Sequence, residues 1–166
     1  MPNSFSIIPS NVMNKLAIAE IVECNKITSR YGLILSQADA IELVATRSEV
    51  LSNYGRIEFT GGIINKLVIR FADSPFLSKH NYVTTLNDLI ETFYYFKNET
   101  LDEISDDELI SFMKNYFDHR CQGSIELLQI RELEALARNV RYGISDYENI
   151  YNDDEEEAID EEAYDE

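Results

Sequence analysis

The densest set of reactive side chains in this sequence is Asp118-His119-Arg120-Cys121-Gln122-Gly123, an acid, a base, a cation and a thiol within one turn. Arg120 and His119 beside Cys121 could depress the thiol's pKa and leave a reactive thiolate. That gives one chemical reading, a small enzyme or thiol-based sensor built on Cys121 with His119 and Asp118. The competing reading needs no reaction. Basic residues at a helix C-terminus complement its dipole and precede a glycine stop. The residues before Asp118 follow an amphipathic helical pattern, which favours this second reading.

The next candidate is the acidic turn holding Asp102, Glu103, Asp106, Asp107 and Glu108. Carboxylates of Asp102, Asp106 and Asp107 could hold Ca²⁺ or Mg²⁺, but the spacing is not that of an EF-hand and no glycine sits centrally. Helix capping already accounts for Ser105 and Glu108. The expectation is therefore no metal and no cofactor. A di-iron bundle would need Glu-x-x-His pairs, and neither His80 nor His119 has a Glu three residues before it. Gly61-Gly62 before a helix could present N–H groups to an anion, yet there is no P-loop lysine and no GxGxxG. A turn is the simpler reading.

These residues are positioned by the stretch Tyr82–Phe117, which reads as two amphipathic helices joined by the acidic turn. It holds 8 of the chain's 18 Tyr and Phe residues. Large rings dominate core energetics, so this pair is expected to form the interior. In the second helix Leu109, Phe112, Met113, Tyr116 and Phe117 fall at i, i+3, i+4, i+7 and i+8, behind the capping signal Ser105…Glu108. In the first, Val83, Leu86, Ile90, Phe93 and Lys97 mark the seam. Four successive aromatics, Phe93 to Phe96, cannot share one face, because adjacent helical residues lie about 100° apart. Either that helix is sandwiched on most sides, or Tyr94 or Tyr95 faces outward as an interaction residue.

The remaining elements follow from caps and breaks. Ser10 or Asn11 opens a helix to about Tyr31, stopped by Gly32. Ser36 with Asp39 caps a second helix, closed by Gly55. The segment 56–71 is ambiguous. Ile63, Ile64, Leu67, Val68 and Phe71 fit a helix, which is preferred, with a small β-hairpin as the alternative. Ser74-Pro75 breaks the chain. A last helix begins after Ser124, with Ile130, Leu133, Ala137 and Val140 on one face and Glu134–Arg138 as an i,i+4 pair. The predicted fold class is all-α: a single bundle of five or six helices over 11–145, a flexible lead at 1–10, and a disordered acidic tail at 146–166.

The formal charge of −17 is concentrated in that tail, where Asp146 to Glu166 contain 12 acids and no Lys or Arg. Residues 1–145 carry 19 acids against 14 bases. Without a basic stripe, direct nucleic-acid binding is not expected, and a protein partner with a basic surface suits the field better. Two unpaired cysteines fit a reducing cytoplasm. No run is long and apolar enough for a membrane span.

Gly55-Arg-Ile-Glu-Phe59, Gly61-Gly62, Asp73-Ser-Pro-Phe-Leu77, the run Phe93 to Met113 and Phe117-Asp-His-Arg-Cys-Gln-Gly-Ser124 resemble a family of short acidic bacterial proteins known only as a domain of unknown function. The likeness runs from Lys15 to Gly143. It implies that the body is one unit and the tail an appendage, and it brings no catalytic residue. The leading functional expectation is a non-catalytic helical protein–protein interaction module, using Tyr94 and Tyr95 or the tail residues Tyr147 and Tyr151. The Cys121 enzyme or sensor is the alternative.

Overall fold

Local capping chemistry sets several helix boundaries. In the computed structural model, residues 10–58 and 62–143 are described, with side chains from Met13 onward. The lead at 1–9 and the acidic tail, including Tyr147 and Tyr151, lie outside them. Helix α1 spans Ser10–Glu23 and α2 spans Asn25–Thr28, followed by a 3-10 turn at Ser29–Tyr31. Gly32 then stops this run in the left-handed conformation with φ of 76°. Helix α3, Gln37–Tyr54, carries the expected reciprocal cap between Ser36 and Asp39 and ends at left-handed Gly55.

Helix α4 is Gly62–Phe71, and its buried residues are Ile63, Ile64, Leu67, Val68 and Phe71. These five are the ones the helical reading of 56–71 named. No strand occurs among the described residues, so no hairpin forms in their part of this segment. The turn after Ser74-Pro75 is organised by Asn81, whose Oδ1 accepts the Ser78 N–H at 2.8 Å and whose Nδ2 donates to the Phe76 carbonyl at 2.9 Å.

Helix α5 spans Tyr82–Glu99 and α6 spans Asp106–Asp118. Ser105 Oγ accepts the Glu108 N–H at 3.2 Å and so caps α6. Helix α7, Ile125–Leu127, leads through a π-helical turn at Leu128–Leu133 into α8, Glu134–Arg141. Counting α1–α2 and α7–α8 as one interrupted helix each, the described residues form six helices, all-α as predicted.

The π turn changes one expectation. Wider winding rotates the residues within it relative to an α-helical face. Leu128 and Leu133 are fully buried, but Ile130, expected on the core face, is 64% exposed. Gln129 instead turns to α5, its Nε2 donating to Thr92 Oγ1 at 2.7 Å. Glu134 meets Arg141 at 3.4 Å, one turn beyond the Arg138 that simple i,i+4 spacing named.

Helix α5 is the centre. It packs against α3, α4, α6, α7 and α8. Phe93, Tyr94 and Phe96 are therefore all buried, while Tyr95 alone of the four rings is half exposed. Phe71 meets Phe117 edge-on at 5.5 Å, joining α4 to α6. Even Lys97 is buried at its stem, its Nζ donating to the Ile104 carbonyl and pairing with Asp106 at 2.8 Å. Among the described residues no helix is long and apolar enough to cross a membrane.

The asymmetry of α5 predicts a sharp contrast in denaturant unfolding. Phe93→Ala should destabilise by about 3–5 kcal/mol, the cost of emptying a fully packed aromatic site. Tyr95→Ala should stay within about 0.5 kcal/mol, as at ordinary surface positions.

Candidate functional site

The thiol constellation is not assembled. Cys121 is 2% exposed. Its backbone N–H bonds the Tyr116 carbonyl at 2.8 Å and Gly123 N–H bonds Phe117 at 2.8 Å, so the chain folds back over the end of α6 and carries the thiol inward. Burial pushes the Cys121 thiol up, reinforced by Glu132, against the opposing pull of Arg131 and Arg120. This is the opposite of the thiolate stabilisation that the sequence suggested. Asp118 has both oxygens engaged elsewhere, Oδ1 accepting Ser74 Oγ at 2.6 Å and Oδ2 paired with Lys114. His119 is exposed at the C-cap of α6, held only through its backbone N–H to Asn115.

The acidic turn is neutralised from within. Asp102 accepts Arg56 at 2.9 Å, Asp106 pairs with Lys97 at 2.8 Å and Asp107 with Lys66 at 2.8 Å. Each of the three candidate metal ligands thus answers a base from a different element, α5, α4 or the α3–α4 connection. No group of three His, Cys, Asp or Glu residues among the described residues is arranged to hold a metal ion.

The start of α4, where Gly61-Gly62 suggested an anion site, already faces a carboxylate of the chain itself. Glu58 accepts the Ile63 N–H and lies beside buried Arg47. Burial raises the Glu58 carboxyl, while the Arg47 guanidinium and the Ile63 N–H oppose that rise. A Cβ at Gly62 would stand 2.9 Å from Glu58 Oε1, at a φ of +44°. The small residue is required there for the close approach of this side chain.

Of the two tyrosines proposed for interaction, Tyr94 is 3% exposed and belongs to the core. It lines a cavity of about 120 Å³ together with Glu58 and Lys97. Tyr95 stands in a different setting. A groove of about 630 Å³ runs between α3, α5 and the π turn with α8. Glu49, Val50, Asn53 and Tyr54 form its α3 wall; Glu91, Thr92, Tyr95 and Phe96 form its floor. Gln129, Ile130 and Glu134 close the third side.

The Tyr95 ring meets Phe96 edge-on at 4.9 Å. Its hydroxyl pKa is pushed up, first by Glu99, then by burial and Glu134, with Arg141 opposing. Acids thus outnumber bases among the charged groups acting on that hydroxyl. Lys and Arg are missing from the groove lining among the described residues, and neither Glu49 nor Glu91 meets a cation there. Sequence reasoning missed this constellation except for Tyr95. The available signal was the pair of i,i+4 spacings Glu49–Asn53 and Glu91–Tyr95 on two helices that pack together.

Residues 20–146 match DUF6323, a family of unknown function, over most of the chain. The chain belongs to that family. The match covers nearly all of the stretch whose motifs carried the resemblance, and it includes both the groove and the folded core. No curated protein and no solved structure matches the chain.

Two outcomes are expected here. Cys121 should react with a thiol reagent at neutral pH only on the timescale of unfolding, measured against a denatured control; rapid labelling of the native protein would restore the sensor reading. Gly55→Ala should cost about 1–2 kcal/mol from left-handed strain alone. Gly62→Ala should cost more, because it also displaces Glu58; equal melting shifts for the two variants would contradict the close packing.

Proposed function

We propose that the protein is a non-catalytic helical interaction module that captures a protein with a basic surface through the groove around Tyr95. The observation carrying this reading is an exposed tyrosine in a groove that also holds Glu49 and Glu91, two exposed carboxylates with no ion pair among the described residues. Tyrosine is enriched where interfaces bury a ring and keep its hydroxyl polar. The groove is open between three helical walls, so a protruding segment can enter without unfolding the bundle. Ile130, turned out by the π helix, adds apolar area beside the acidic rim.

In the acidic turn Asp102, Asp106 and Asp107 are already paired. Glu49 and Glu91 retain their full field toward solvent, which speeds encounter with a cationic surface and weakens as salt screens it. The tail is a separate route to the same kind of partner, through Tyr147 and Tyr151. The thiol alternative is not favoured, since Cys121 is buried and its proton is held.

Affinity capture with four forms of the protein tests the proposal. Wild type and a chain truncated after residue 145 should retain the same partner, and raised salt should weaken both. Tyr95→Ala and Glu91→Lys should lose it while melting near the wild-type temperature. Loss on truncation with retention by Tyr95→Ala would move the binding surface to the tail, and capture indifferent to all changes would end the proposal.

A further inference from the structure

One arginine already sits at the end of this groove. Arg141, in the last turn of α8, pairs through Nη1 with Glu99 at 2.7 Å and through Nη2 with Glu134 at 3.4 Å. Glu134 lines the groove, and both acids act electrostatically on the Tyr95 hydroxyl, as does Arg141 itself. The chain thus supplies a guanidinium forked between two carboxylates within electrostatic reach of the Tyr95 hydroxyl. A planar guanidinium can bond two carboxylates and stack on a tyrosine face at once, which a lysine ammonium cannot reproduce.

The rest of the groove repeats these parts without a cation. Glu91 lies one turn before Tyr95 on α5, Glu49 faces it from α3, and Tyr54 adds a second ring. We infer that the ligand of this groove is an arginine side chain of the partner protein, laid against Tyr95 with Glu91 and Glu49 as counter-charges, and that Arg141 competes with it for Glu134. This rests on the proposed function and names the chemistry of its partner. Arg141, Glu99 and Glu134 are each about a third exposed. Such pairs are worth little in water and can exchange partners at small cost.

The competition makes a counter-intuitive claim about Arg141. Removing a base from an acidic site ordinarily changes only the long-range field. Here it also releases a carboxylate that the incoming guanidinium can use. Arg141→Gln should therefore strengthen binding of an arginine ligand by about fivefold, the equivalent of one surface ion pair. A neutral ligand of the same shape should gain nothing.

The test is a titration of the full-length protein, followed by amide chemical shifts, with three short glycine-flanked peptides that differ only in carrying arginine, lysine or citrulline. The arginine peptide should shift the amides of Glu91, Tyr95 and Ile130, the lysine peptide should bind several-fold more weakly, and citrulline should leave them still. Arg141→Gln should tighten the arginine peptide, and Glu91→Gln, which leaves Arg141 untouched, should weaken it. A melting curve establishes that each variant is folded, and Glu91→Gln decides the matter if Arg141→Gln is not. Equal binding of citrulline and arginine, or weaker binding by folded Arg141→Gln, overturns the inference while Tyr95-dependent partner capture still stands. If no peptide moves the groove amides and capture is indifferent to Tyr95, the proposed function falls with it.

Discussion

The encirclement of α5 is the constraint on which the rest depends. A helix flanked by α3, α4, α6 and α8 needs a wide apolar face, and the sequence answers with Leu89, Ile90, Phe93, Tyr94 and Phe96, all buried. Only one narrow strip escapes. Thr84, Glu91, Tyr95 and Asn98 are exposed at helical spacing, and their line marks where no neighbour lies over α5. The groove is the gap along that strip. Core and candidate site are two consequences of the same packing arrangement.

Electrostatics sort in a similar way. Of the body's 14 basic residues, Arg56, Lys66 and Lys97 answer the acidic turn, and Arg47 is buried. Lys97 is drawn into the interior, where its stem packs with the seam and its ammonium reaches Asp106 and a carbonyl. Arg47 and Glu58 hold the start of α4 together. These pairings remove the features that suggested metal or anion binding from sequence. Glu49 and Glu91 have no ion pair among the described residues, and they line the same groove as the half-exposed Tyr95 ring.

The π turn at Leu128–Leu133 connects these two themes. Its wider winding keeps Leu128 and Leu133 in the core while sending Ile130 to the groove wall and Gln129 to Thr92. An unbroken α-helix would have placed Ile130 with the buried face. Such bulges persist where the local winding serves a surface, because they forgo regular hydrogen bonding. The groove's third wall is thus built by a local irregularity that fits its exposed, aromatic floor.

By itself the sequence determined the elements and the interior. Capping residues and left-handed glycines are local chemistry, so Ser36, Ser105, Gly32 and Gly55 mark boundaries wherever the helices pack. The aromatic stripe of α6 and the five apolar positions of α4 were likewise legible, since hydrophobic periodicity survives without knowledge of neighbours. What only the tertiary structure decided is how charges pair and which side of the aromatic-rich helix α5 stays open. Asp118 bonds Ser74 rather than serving His119, and Tyr95 rather than Tyr94 faces out, because those outcomes depend on segments about forty residues away in the chain meeting in space. A single residue's type cannot encode that meeting; the packing of α3 and α8 about α5 does.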